Sequence, residues 1–425
     1  MLSITNKAVI IAQSAAKTRK VSAYNIISIK IASRIFSILL WVCLIQVSSL
    51  ARAGVPSSGD LISSKPFKSP IINADGQLLI HYMPSIAGGM TRASTLLFVP
   101  KKTPSAGGWP IVAWAHGTAT GGQKLIAPSL SSMLDGGLTK SGFISHYVFV
   151  IQSLVDAGYA VVAPDLEGLG AVASVPEPYF NIASSAQSLI SGVIAARHAN
   201  AHLSTHWAAV GHSEGGHGVL GVEAFTAEVP NLTLECTVAY APNTSIAATV
   251  AALGDSILHS RAPKALNFLA SQNFNVGLMA TGLRAQSPTF DFGSVMGNDL
   301  RQLMPVFVTK GSVKIIGDVT KAIASKTPAV FSGFKANWNT TPEMSAFLTA
   351  NDPAAMPGFN LRVPALIVQG TADAFVLEPL DAALTSKLIA AGDPVTYHTY
   401  QGKDHFTIIP AATPEVLAFL ARYLR

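Results

Sequence analysis

From about residue 77 onward the chain alternates short apolar runs with stretches of helical periodicity, and this alternation narrows the open folds more than any other feature. Leu79–Ser85 and Ala93–Val99 read as an opening antiparallel pair. Pro110–Ala115, Ala160–Pro164, Trp207–Gly211, Cys236–Ala241, Ala365–Gln369 and Val395–Tyr400 complete eight candidate strands. Helical segments fall between them at about Ser145–Ala157, Ala183–His198, Gly216–Ala227, Pro379–Ala391 and Pro414–Tyr423. The expectation is an α/β chain with an eight-stranded, mainly parallel sheet covered by helices on both faces.

The alternation breaks once. Between Ala241 and Pro364 the periodicity is helical, at Ala262–Ala280, Gly297–Val308 and Val313–Ala324, with no convincing strand. A helical insertion after a sheet strand reads as a lid or cap. The expected layout is core at 54–245, cap at 246–350 and core again at 351–425, with a mobile Gly/Ser/Pro-rich stretch at Gly54–Ser64.

Residues 1–53 are of another kind. They hold Lys7, Lys17, Arg19, Lys20, Lys30, Arg34 and Arg52 with no acid, so the formal charge of +6 belongs to this end and the rest is near neutral. That distribution argues against a nucleic-acid partner. The basic stretch, the apolar run Ile35–Leu50 and Ala51-Arg52-Ala53 together read as a signal peptide cleaved before Gly54. An uncleaved anchor is the alternative, and the run falls short of the roughly 20 apolar residues of a spanning helix. Cys43 lies in this leader. Cys236 is then alone in the mature chain, without a disulfide partner, and reads as a small buried hydrophobe.

Chemistry concentrates at Gly211-His212-Ser213-Glu214-Gly215, which follows one apolar strand and precedes a helical segment. A serine on such a sharp turn takes a strained backbone, and side chains at Gly211 or Gly215 would strike neighbouring backbone. A serine hydroxyl needs a histidine to accept its proton and a carboxylate to orient that histidine. The stretches VPALIVQGTAD and YHTYQGKDH are strands whose following loops carry Asp373 and His405, expected as orienting acid and general base. Asp404 and Asp393 are weaker candidates for the acid. His398 reads as a strand residue and Asp165 as a loop-structuring one. An oxyanion hole is expected from the backbone N–H groups of Thr118 and Glu214, with His116 shaping the loop. His198, His202 and His206, and the pair His212 and His217, lack a recognised ligand pattern with carboxylates, so neither metal nor cofactor is expected.

With these residues placed, the chain resembles the secretory lipase family of α/β-hydrolases, typified by fungal lipase A. The resemblance rests on Trp114–Thr118 (WAHGT), Pro164–Gly170 (PDLEGLG), Gly211–Leu220 (GHSEGGHGVL), Asn351-Asp352-Pro353, Gln369–Asp373 (QGTAD) and His405. It implies the α/β-hydrolase fold with a helical cap after the sixth strand, and hydrolysis of carboxylic esters, often acylglycerols. The expected partner is an apolar ester, with a lipid–water interface as one setting, and no obligate protein partner. A peptidase or acyltransferase on the same machinery, or a binding protein without catalysis, are the competing expectations. The sequons at Asn231, Asn243 and Asn339 matter only in a eukaryotic secretory route.

Overall fold

The computed structural model describes residues 55–104, 106–119, 144–170, 172–252, 262–307, 312–326 and 330–424. The expected leader therefore lies outside the described residues. Nine strands form one sheet: β1 (Leu61–Pro66), β2 (Ala74–Pro84), β3 (Met90–Pro100), β4 (Trp109–Ala115), β5 (Ala160–Pro164), β6 (Leu203–His212), β7 (Thr233–Tyr240), β8 (Ala365–Gly370) and β9 (Val395–Tyr400). The helices of eight residues or more among the described residues are α1 (Ile144–Asp156), α2 (Ile182–Ala199), α3 (Glu214–Gly221), α4 (Pro263–Gln286), α5 (Ser312–Ala324), α6 (Pro342–Asn351), α7 (Glu378–Ala391) and α8 (Ile408–Tyr423).

The sheet order is β1-β2-β3-β5-β4-β6-β7-β8-β9. The first three strands and the β3–β5 pair run antiparallel, and every pairing from β5 through β4 to β9 is parallel. Two expectations need correction. The eight strands are nine, because Leu61–Pro66 is not a mobile terminus but an edge strand on β2, with Ser64 opposite Leu79. Its mostly exposed, polar residues bury too little to show an apolar run, so backbone pairing carries it. The last helix begins at Ile408 rather than Pro414, which sits inside it; Ile408 and Ile409 are fully buried, and their packing outweighs the lost backbone hydrogen bond.

Strands β4 to β8 are largely buried on both sides and feed two cores alternately. Val112, Trp114, Ala208, Val210, Leu366 and Val368 face α1 and α8. Ile111, Ala113, Trp207 and Ala209 face α2. Next to these, Ala239 and Ile367 meet Leu384 and Leu388 of α7. This is why these strands read as continuous apolar runs. From β4 the chain passes through α1 to β5 on one side, then through α2 to β6 on the other. Neighbouring chains thus leave β4 and β6 in opposite directions, and such a reversal opens a crevice beyond the strands' carboxyl ends.

Among its described residues, the regular structure of the segment between β7 and β8 is helical, apart from an isolated bridge between Met296 and Phe334. It has its own apolar core, in which Phe274, Val276, Met279 and Ile315 join Tyr179 and Phe180 from the loop after β5.

Candidate active site

Ser213 occupies the single residue between β6 and α3, with φ 57° and ψ −119°. That conformation suits glycine and costs another residue about 1–3 kcal/mol, borne by the surrounding fold. Its N–H donates to the Tyr240 carbonyl at 2.9 Å, and its carbonyl accepts from His217 at 2.9 Å. The turn is crowded: an ideal Cβ on Gly211 would lie 2.5 Å from the Gly215 oxygen, and one on Gly215 would lie 2.2 Å from the Ala115 oxygen. Glycine at both positions lets β4, β6 and α3 converge.

His405 and Asp373 arrive from the loops after β9 and β8. His405 Nε2 lies 2.9 Å from Ser213 Oγ, and its Nδ1 lies 2.7 Å from Asp373 Oδ2. A carboxylate only accepts, so Nδ1 carries the hydrogen and Nε2 is left to receive the serine proton. The second Asp373 oxygen accepts from the Phe375 and Val376 N–H groups at 2.8 and 2.9 Å. Both side chains are buried. The line can therefore take a proton from Ser213 and return it to a departing oxygen.

The other acids have different work. Asp404 accepts from the Phe406 and Thr407 N–H groups at 3.0 and 2.8 Å and so shapes the turn carrying His405. Asp393 accepts from Leu361 N–H at 2.8 Å. Asp165 is bonded to the Ser94 hydroxyl. His398 pairs with Glu415 at the surface, and buried His116 bonds through Nδ1 to the Gly117 carbonyl at 2.8 Å. His198, His202 and His206 go separate ways, to the Gly59 carbonyl, the Trp109 ring and Glu235.

A second hydrogen-bonded line, not anticipated from the sequence, runs behind the first. His212 Nε2 lies 2.7 Å from the His405 carbonyl, so it donates; His212 Nδ1 then accepts from Tyr147 Oη at 2.8 Å, and that oxygen accepts from Gly117 N–H at 3.0 Å. Burial, and next the charge His405 can carry, hold the His212 ring well below its usual pKa, hence neutral. The line ties the loop after β4 to the loop bearing His405. Buried His217 bonds through Nε2 to the Asn351 carbonyl at 2.6 Å, and burial pushes its pKa down to about 4.

Thr118 lines the same cavity as Ser213, with its Oγ1 3.1 Å from Tyr179 Oη. The Glu214 side chain turns inward and is 2% exposed. It meets the Glu177 carboxyl, the Thr118 hydroxyl and the Phe180 N–H. Burial pushes Glu214 up to about 7, and burial followed by the Glu214 charge pushes Glu177 well above the carboxylate range. Two buried carboxyls this close resist being ionised together, which adds to the upward shift of Glu177.

A cavity of about 410 Å³ holds Ser213 among its lining residues, with Phe375 and Phe406 near His405 and residues of α4 also lining it. A larger cavity of about 990 Å³ lies by Gly221, Phe347 and Phe359 and reaches none of Ser213, Asp373 or His405. Size is outweighed there by the lack of a nucleophile beside a base. Tyr147, Glu177 and the α4 polar residues were invisible as site residues in the sequence. A row of amides inside an otherwise apolar helix was the one available signal.

The sequence model of the secretory lipase family matches residues 140–424. No curated relative matches the chain. Among solved structures, the chain is similar to the rice cell wall degrading esterase LipA from Xanthomonas oryzae, at 16% identity over 87% of this chain and 99% of that one, TM-score 0.63. It is similar to Candida antarctica lipase A in its closed state, at 15% identity over 88% and 83%, TM-score 0.63. A putative hydrolase from Legionella pneumophila matches at 17% identity over 85% and 97%, TM-score 0.63.

Proposed function

This chain belongs to the secretory lipase family and is a carboxylic-ester hydrolase, and on that premise we propose that it works through an acyl-enzyme on Ser213. His405 takes the serine proton as Oγ attacks the ester carbonyl, and Asp373 holds the ring in the required tautomer. The carbonyl oxygen becomes negative and is received by the N–H groups of Thr118 and Glu214, the latter at the first turn of α3. His405 then protonates the leaving alcohol. Water activated by the same ring releases the acid and restores Ser213. The observation that carries this reading is the buried line of 2.9 and 2.7 Å contacts from Ser213 through His405 to Asp373.

The reading extends to layout and place of action. Residues 246–350 serve as a cap over the site, supported by the α4 residues that line the cavity. Residues 1–53 serve as a cleaved leader, supported by their charge pattern and the family's secretory character. No helix of the described residues is long and apolar enough to cross a membrane.

The test is a nitrophenyl ester series run on the protein and on Ser213→Ala, with fluorophosphonate labelling alongside. Turnover and labelling are expected in the first and a loss on the order of 10⁴-fold or more in the second. Equal rates in the two proteins would sink the assignment.

A further inference from the structure

Helix α4 presents polar residues, beside Phe274, to the cavity that holds Ser213. Asn267, Ser271, Gln272 and Asn275, at spacings of four, one and three, all line the cavity that holds Ser213. Neighbouring positions Leu269, Ala270, Val276 and Met279 feed the apolar core of the insertion instead. A roof for plain hydrocarbon has no use for amides.

These groups are wired to the loop after β4. Thr118 Oγ1 donates to Tyr179 Oη at 3.1 Å, Tyr179 Oη donates to Asn275 Oδ1 at 3.2 Å, and Asn275 Nδ2 donates to Gln272 Oε1 at 3.4 Å. The line then stops. Gln272 Nε2 has no hydrogen-bond partner among the described residues, although Gln272 is 1% exposed. Just after β7, Asn243 Oδ1 is likewise unpartnered among the described residues, and Asn243 is 3% exposed. Both residues line the same cavity as Ser213. One open group is a donor and the other an acceptor. Native proteins rarely bury such groups unmatched, and a polar ligand in the cavity is one way to match them.

We infer that the cavity is built for esters bearing a free hydroxyl near the scissile bond, with Gln272 and Asn243 as its specificity-determining residues. A hydroxyl is the smallest substituent that both accepts and donates, so a hydroxylated substrate satisfies an amide N–H and an amide oxygen. An alkyl ester of the same length leaves both unmatched. Phe375 and Phe406, near His405, cover the hydrocarbon remainder. This inference rests on the ester-hydrolase reading above and narrows its substrate class.

The hydroxyl can come from either side of the ester, and two substrate pairs separate the sources. Ethyl 3-hydroxyoctanoate against ethyl octanoate places it on the acyl side. Glycerol monooctanoate against propyl octanoate places it on the alcohol side. In the unaltered protein, kcat/KM for the hydroxylated member of at least one pair is expected to exceed its partner's by about tenfold. In Gln272→Leu and in Asn243→Leu that ratio falls toward one. The unaltered protein alone is a sufficient test should a variant not fold. Ratios near one in both pairs, or a high ratio untouched by either folded variant, would overturn the inference while leaving Ser213-dependent hydrolysis standing. Absence of Ser213-dependent turnover on all four esters would instead remove the reading beneath it.

Discussion

Gly117 shows how little room surrounds Ser213. An ideal Cβ there would meet Tyr147 Oη at 2.7 Å and Ser213 Cβ at 3.1 Å. Gly117→Ala is therefore expected to cut kcat by at least about tenfold, because a displacement of an ångström in the attacking group costs up to 10²-fold. Stopped-assay kinetics with a thermal melt checks it, and unchanged kcat would contradict the crowding argument. Glu214 makes a second residue-scale case through pH. Its folded pKa of about 7 lies above the reference 4.5, chiefly because of burial. The sign follows: the protonated form is favoured by folding, so stability is fully present below about pH 4.5 and is lost as pH rises through about 7. The shift corresponds to about 3 kcal/mol, as an order of magnitude. Glu214→Gln is expected to flatten the melting temperature between pH 5 and 8, with calorimetry as the readout.

At the scale of elements, the turn at Ser213 forms because β4, β6 and α3 approach at their backbones. Gly215→Ala puts a methyl 2.2 Å from the Ala115 carbonyl oxygen, which cannot swing aside as a side chain can. That variant is expected to lose several kcal/mol of stability, on the scale of severe overpacking, in chemical denaturation. A loss within 0.5 kcal/mol, the ordinary surface range, would show that the strands can separate at little cost. Element legibility varied for the same kind of reason. Strands β4 to β8 are plain in the sequence because both faces are largely buried, whereas β1 escapes the pattern because its contacts are backbone pairs with β2. Helix α8 was shortened in the sequence reading because Pro414 resembles a helix start, while burial of Ile408 and Ile409 extends it backward.

For the molecule as a whole, the sheet and the insertion have separate apolar clusters. Separate clusters favour separate opening. Met279→Ala, at a fully buried position of α4, is expected to cost about 2–5 kcal/mol locally. Amide exchange in α4 should quicken while β4 and β6 keep their protection; uniform acceleration would mean one cooperative unit. Because α4 lines the cavity, ester turnover should fall with it.

The amino-acid sequence by itself determined the alternating architecture, the strand-turn-helix around Ser213 and the two terminal loops bearing Asp373 and His405. Each is a local pattern: burial on two faces writes apolar runs, and a sharp turn demands glycine. Only the tertiary structure decided what meets what. Tyr147 comes from α1, Glu177 from the loop after β5, and Asn243 and Gln272 from beyond β7, so no spacing along the chain announces them. Their proximity arises because the sheet reverses its winding at β4 and because Asn243 and α4, both after β7, line the same cavity as Ser213, where burial makes each contact matter.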